Sequence, residues 1–242
     1  MKTVGIIGGM GPEATVDLMS RVIALTPATD DADHIPMLVD NNSQVPSRIA
    51  ALLEGTGTSP EPVLIAMAER LQHMGAQLLA MPCNTAHHYH QAVQAAVQIP
   101  FLDMRIAAAT FLAARMGKPG RSSKPRIGFL ASSALPKISL YEPVFAAAGL
   151  DICYPDDESQ RVLMALIRSV KGNGELVREE NLRPAIASLV NSEVDSLLIA
   201  CSELSAVSPR IGKLIPNYRS VPLFDSSEIL ASAIVEAALA TS

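Results

Sequence analysis

Ser196-Leu197-Leu198-Ile199-Ala200-Cys201-Ser202-Glu203 reads as an apolar strand running into a thiol, and Gln77-Leu78-Leu79-Ala80-Met81-Pro82-Cys83-Asn84-Thr85 repeats that pattern in the first half of the chain. Neither run alternates apolar with polar residues. Each therefore fits a strand buried on both faces, as in a parallel sheet covered by helices. A capping-type residue follows each cysteine, Asn84 in one case and Ser202 in the other. A thiol at such a strand-to-helix junction lies near unpaired N–H groups, which favour the thiolate. Two of them, one from each half, point to acid/base chemistry on a ligand held between them.

Strand-like and helix-like stretches alternate outward from these motifs. Strands are predicted at 3–8, 35–39, 77–82, 99–102, 126–131, 150–153, 196–200 and 220–224. Helices are predicted at 12–25, 61–74, 86–97, 104–116, 140–148, 159–170, 181–191 and 226–240. A weak repeat underlies the order. Val4-Gly5-Ile6-Ile7-Gly8 matches Ile127-Gly128-Phe129-Leu130-Ala131, with 78 residues from Gly5 to Cys83 and 73 from Gly128 to Cys201. Ile99-Pro100-Phe101-Leu102-Asp103 then matches Val221-Pro222-Leu223-Phe224-Asp225. The expected fold class is α/β: two similar three-layer lobes with mostly parallel sheets, related by a pseudo-twofold, with the active site in the cleft between them. The lobes are expected to span 1–103 plus 226–242, and 104–225. The Gly/Pro/Ser-rich stretch Gly117 to Pro125 reads as an exposed loop between the halves.

Composition narrows the function. The chain has 242 residues, 49% hydrophobic, with net charge −5, 4% aromatics and no Trp. That balance offers neither the basic face nor the stacking aromatics of a nucleic-acid binder, so the expected partner is a small molecule. No uncharged apolar run reaches the length of a membrane span. Three cysteines do not make a disulfide framework, so a cytoplasmic enzyme with reduced thiols is expected.

Other readings of these residues compete. Cys83 and Cys201 could be core cysteines, since free Cys is commonly buried. Both nevertheless stand at strand C-termini, where open α/β sheets bind ligands. Cys153, with no helix start after it, reads as structural. Cys83, His87, His88 and His90 could hold a metal, but they lack the usual zinc spacings. The histidines otherwise read as a polar face near the cleft, one of them tuning Cys83. Gly9-Met10-Gly11-Pro12-Glu13-Ala14 formally fits a dinucleotide turn, with Asp31 and Asp33 following. Its simpler reading is a tight turn with Pro12 at the first helical position. Position alone makes Arg48 a fair anion clamp, whereas Lys171, before Gly172, reads as a residue compensating a helix end.

Taken together, Gly8-Gly9-Met10-Gly11-Pro12, Gln44-Val45-Pro46-Ser47-Arg48, Pro82-Cys83-Asn84-Thr85-Ala86-His87, Val170-Lys171-Gly172 and Ala200-Cys201-Ser202-Glu203-Leu204 make the chain resemble the aspartate/glutamate racemase family. The resemblance implies a two-domain fold, a homodimer, and catalysis without pyridoxal phosphate or metal. It implies Cys83 and Cys201 as the two acid/base residues in the racemisation of aspartate or glutamate. Arg48 and Lys171 match positions that hold substrate carboxylates. Asn84, Thr85 and Ser202 match residues beside the thiols that bind the α-carboxylate or α-amino group. Ser132 falls where the family has Thr, and Met10, Gln44 and Glu203 lie within the motifs as further substrate-binding positions. Ser47 stands where the family often has Asp, which bears on side-chain preference. Relatives with this fold include hydantoin racemases and maleate isomerases.

Overall fold

Gly5 and Gly128 occupy the same place in two separate sheets. The computed structural model describes residues 1–116, 123–173, 179–206 and 221–240, with backbone alone at 171–173 and 179. The chain divides into two units, Met1–Ala107 with Ser227–Ser242, and Ala108–Ser226.

In the first unit, β1 (Val4–Gly8) is the central strand, flanked by β2 (Met37–Asn41) and β3 (Leu78–Ala80), all parallel. Its residues alternate between two buried clusters. Ile7 packs with Leu64, Met67 and Leu71 of α2 (Glu61–His73) and Val93 of α3 (His90–Ala96). Val4 and Ile6 pack with Leu18 and Val22 of α1 (Pro12–Leu25) and Leu230 and Ile234 of α10 (Ser226–Leu239). One sheet thus carries helices on both faces, which is why its strands read as unbroken apolar runs. The chain leaves this unit within α4 (Met104–Met116) and returns at the start of α10.

In the second unit the sheet order is β5-β4-β6-β7, again parallel, from β4 (Arg126–Ala131), β5 (Asp151–Cys153), β6 (Ser196–Ala200) and β7 (Leu223–Asp225). Its helices are α5 (Ala134–Lys137), α6 (Glu142–Ala147), α7 (Asp157–Asn173), α8 (Glu179–Asn191) and α9 (Ser202–Ser205). Phe129, Tyr141 and Phe145 are fully buried and pack edge to face, with ring centroids 5.1–5.7 Å apart.

The repeat read from sequence extends to individual hydrogen bonds. Gly5 pairs with Leu79 and Gly128 with Leu197, each leucine four residues before a cysteine. The Leu79 and Leu197 N–H groups donate to the carbonyls of Pro100 and Pro222, each at 2.8 Å. Both glycines are needed for close packing. A Cβ on Gly5 would lie 2.8 Å from Leu79 Cδ2, and one on Gly128 would lie 2.9 Å from Leu197 Cδ2.

Several elements differ from expectation. β2 lies two residues later than predicted, because the edge strand keeps pairing with β1 into polar Asp40 and Asn41 after the apolar signal ends. The strand expected at 99–102 is a single Leu79–Phe101 bridge, since Pro100 has no N–H to extend the ladder. The helix expected over 86–97 is a 3-10 turn, Thr85–Tyr89, followed by α3. α7 continues past Val170 through Gly172, so Lys171 sits within a helix rather than ahead of a terminating glycine. A 3-10 turn at Asp31–Asp33 and a π-helical turn at Ala50–Glu54 carried no sequence signal. Most of the predicted loop at 117–125 lies outside the described residues. No described helix is long and apolar enough to cross a membrane.

Candidate active site

Parallel strands bring their C-terminal ends, and the loops after them, to one edge of each sheet. In the first unit those loops are Gly9–Gly11 after β1, Asn42–Ser47 after β2, leading into a helical turn at Arg48, and Met81–Asn84 after β3. The glycine turn is built by packing. Gly9 has φ +89°, and a Cβ there would lie 2.2 Å from the Asn42 backbone, while its N–H donates to Thr15 Oγ1 at 2.9 Å. Pro12 opens α1 directly after the Gly11 N-cap, as expected.

Cys83 is 5% exposed and belongs to one buried cluster with Met10, Val45 and Met81. Its N–H donates to the Met81 carbonyl at 2.9 Å. Asn84 is buried beside it and Thr85 half-buried. Asn84 makes no side-chain capping bond, and the element after Cys83 is a short 3-10 turn rather than a full helix. Capping by Asn84 is therefore corrected. Ser202 is corrected likewise, being the first residue of four-residue α9, whose N-cap is Cys201.

His87 explains how the Cys83 turn is fixed. It is fully buried, with Nδ1 2.9 Å from the Cys83 carbonyl and Nε2 receiving the Met104 N–H at 3.1 Å. A carbonyl only accepts and an amide N–H only donates. The neutral imidazole protonated on Nδ1 is thus the one form satisfying both. Burial pushes its pKa down from 6.5 to about 4 against the opposing pull of Asp103. Asp103 itself is held at about 2: burial would raise it, but hydrogen bonds and charge from Arg105 and the histidine charges prevail. With both nitrogens engaged, His87 is a structural brace rather than a metal ligand. His90 Nε2–H donates to the Phe101 carbonyl at 3.0 Å and its ring stacks on Phe101.

Arg48 is 8% exposed and folds onto its own loop, donating from Nη1 to the Val45 and Pro46 carbonyls at 3.3 and 3.0 Å. Its Nε is buried without a hydrogen-bond partner. Gln44 is exposed; its amide nitrogen lies 3.5 Å from Ser43 Oγ.

In the second unit, Cys201 directly follows β6, and the pairing of Ala131 with Ala200 sets Ser132 and Cys201 at adjacent strand ends. The thiol of Cys201 donates to Glu203 Oε2 at 3.0 Å, and Ser202 Oγ lies 3.4 Å from the same oxygen. Cys201 is 4% exposed and Ser202 is buried. Ser205, whose N–H closes the turn onto the Cys201 carbonyl, also meets Asp225 Oδ1 at 2.6 Å. Ser132 is buried, and its Oγ has no partner. Cys153 lies within β5, 3.7 Å from Arg126 Nη2. The Lys171 side chain lies outside the described residues. Sequence reasoning missed the bracing role of His87, and it missed Gln160 of α7, which carries no motif. Gln160 reaches the Ala131 carbonyl and Ser133 Oγ.

Comparison with known proteins places these features in company. The family model described as Asp/Glu/Hydantoin racemase matches residues 7–234. The broad specificity amino-acid racemase RacX of Bacillus subtilis (strain 168) is 26% identical over 241 residues, covering 98% of each chain. The structure of Picrophilus torridus aspartate racemase superposes with a TM-score of 0.80 at 30% identity, over 98% of this chain and 94% of that one. Glutamate racemase isoform RacE1 of Bacillus anthracis shares the fold, with a TM-score of 0.65 at 18% identity, over 96% and 79%.

Proposed function

Because the chain belongs to the Asp/Glu/hydantoin racemase family, and so is an amino-acid racemase, we propose that it interconverts L- and D-aspartate or glutamate with Cys83 and Cys201 as paired acid and base. The observation that carries this reading is the matched placement of the two thiols. Each is buried, and each lies four residues beyond the leucine paired with a central-strand glycine.

Racemisation removes the α-hydrogen as a proton from one face of Cα and returns a proton to the other. One thiolate takes the α-proton, the C–H electron pair remains on the substrate as a carbanion, and the opposite thiol protonates it. The two sulfurs have then exchanged states. Glu203 gives this cycle a starting point. A carboxylate accepts a hydrogen bond only from the protonated thiol, so Glu203 favours the proton on Cys201, which makes Cys201 the acid for the enantiomer whose α-hydrogen faces Cys83. Asn84, Thr85 and Ser202 are the donors for the substrate's α-carboxylate, where negative charge accumulates. Arg48 takes the side-chain carboxylate with its buried Nε and its Nη2, Nη1 being held by the Val45 and Pro46 carbonyls.

The reading is tested in deuterated water. Both enantiomers of aspartate and glutamate are expected to gain deuterium at Cα, and Cys83→Ala and Cys201→Ala are each expected to abolish racemisation. Full activity in either variant rejects the two-thiol assignment. A chiral panel of other amino acids measures how far the range extends toward that of the broad-specificity relative.

A further inference from the structure

Gln160 ends the first turn of α7 and turns its amide toward the C-terminal end of β4. Its Nε2 donates to the Ala131 carbonyl at 2.9 Å and to Ser133 Oγ at 3.1 Å. The Ala131 carbonyl can only accept, so the amide orientation is fixed with nitrogen toward β4, and both N–H bonds are used. Its Oε1 is buried with no hydrogen-bond partner. Ser132 Oγ, one residue from each group that Gln160 holds, is likewise buried and unpartnered. Meanwhile the Ser133 N–H is occupied by Met164 Sδ at 3.2 Å. Two buried oxygens with open acceptor capacity thus stand at the C-terminal end of β4, Ser132 Oγ on the loop beside Cys201 across the Ala131–Ala200 pair and Gln160 Oε1 on the helix bonded to that loop. Leaving such a group unsatisfied is costly, and a ligand able to donate hydrogen bonds would recover that cost.

We infer that Gln160 Oε1 and Ser132 Oγ together receive the α-ammonium of the substrate, making Gln160 a specificity residue for amino acids over acids that lack the amine. The inference rests on the racemase reading above. The reason is chemical. An amide oxygen cannot donate, so it is unsuited to either substrate carboxylate, whereas an ammonium offers three N–H donors. The α-ammonium is also bonded to the carbon that Cys201 must reach.

The test uses the full-length protein and the L-amino acid turned over fastest in a chiral panel. It is paired with the acid lacking only the α-amino group (succinate for aspartate, glutarate for glutamate) as competitive inhibitor. Gln160→Met is expected to raise KM for the amino acid about tenfold or more, while Ki for the deaminated acid changes less than about twofold. If KM and Ki rise together, Gln160 only holds the loop and the inference fails. If neither moves, the two oxygens bind water alone and it fails again. Ser132→Ala deletes an atom with no partner in the fold, so it gives the same split readout should Gln160→Met not fold, and its melting temperature is expected not to fall. A wild-type protein that racemises nothing in the panel rejects the racemase reading and this inference with it. An active wild type with unaltered variants rejects the inference alone.

Discussion

His87 Nδ1–H donates to the carbonyl of Cys83 at 2.9 Å, and the same ring receives the Met104 N–H on Nε2. One neutral side chain therefore fastens the turn that carries a proposed catalytic thiol to the start of α4.

The depressed pKa of His87 makes this brace sensitive to acid. The unfolded chain takes up the proton near 6.5 and the folded one only near 4, so between these values the unfolded state binds more protons. Its contribution is complete above pH 6.5 and declines as pH falls toward 4, by on the order of 3 kcal/mol. Urea denaturation at pH 7, 5 and 4 is expected to show this slope, and His87→Ala to flatten it while lowering stability at pH 7 by about 2–4 kcal/mol. A slope unchanged in the variant would assign it to other groups. Asp103, held near 2, acts in a separate window: its contribution is present above 3.8 and is lost as pH falls toward 2.

Glu203→Gln keeps an acceptor beside Cys201 but removes its charge. The bond from Cys201 to a carboxylate favours the thiol by about 1–1.5 kcal/mol more than a neutral acceptor does. Alkylation of Cys201 by iodoacetamide at pH 7, followed by peptide mass spectrometry, is expected to quicken about tenfold in the variant. An unaltered rate would remove Glu203 from control of that proton.

Arg48→Gln is expected to raise KM for aspartate about 10- to 100-fold with a smaller change in kcat. Arg48→Lys is expected to restore little, because a single ammonium cannot both bond the Val45 and Pro46 carbonyls, as Nη1 does, and offer the further planar donors proposed to take the carboxylate. Steady-state kinetics with both enantiomers decide the matter, and an unchanged KM would dismiss Arg48 as the clamp.

The two central glycines should differ in tolerance despite their equivalent positions. A Cβ at Gly5 would lie 2.9 Å from Ala76 Cβ, which has no rotamer by which to yield, as well as 2.8 Å from Leu79 Cδ2. At Gly128 the nearest atom is Leu197 Cδ2, the movable tip of a side chain, with Leu189 at 3.2 Å. Gly5→Ala is expected to destabilise by about 1–3 kcal/mol and Gly128→Ala by less. Urea midpoints of the two variants test the order.

Much of this was legible because buried parallel strands leave long apolar runs, and β1, β4 and β6 are such strands. The spacing of landmarks before each cysteine showed the repeat, while the pairing of Gly5 with Leu79 and of Gly128 with Leu197 came from the structure. What escaped the sequence depends on backbone continuation or on distant contacts. β2 persists into Asp40 and Asn41 because an edge ladder needs no apolar side chains. The turn after Cys83 tightens to 3-10 geometry while its residues would equally suit an α-helix. Gln160 and His87 owe their roles to partners 29 and 17 residues away, Ala131 and Met104, and no local pattern marks such partners.

The glycine–leucine register has an evolutionary consequence. Each cysteine stands four residues beyond a leucine paired to its own sheet's central strand, while Gln44 and Arg48 follow the edge strand β2 and Ser132 follows β4. Under the proposed two-thiol mechanism, drift in the connections after those strands would retune which amino acid is accepted without displacing the sulfurs. On that mechanism, diversification of substrate range and retention of chemistry are separable traits.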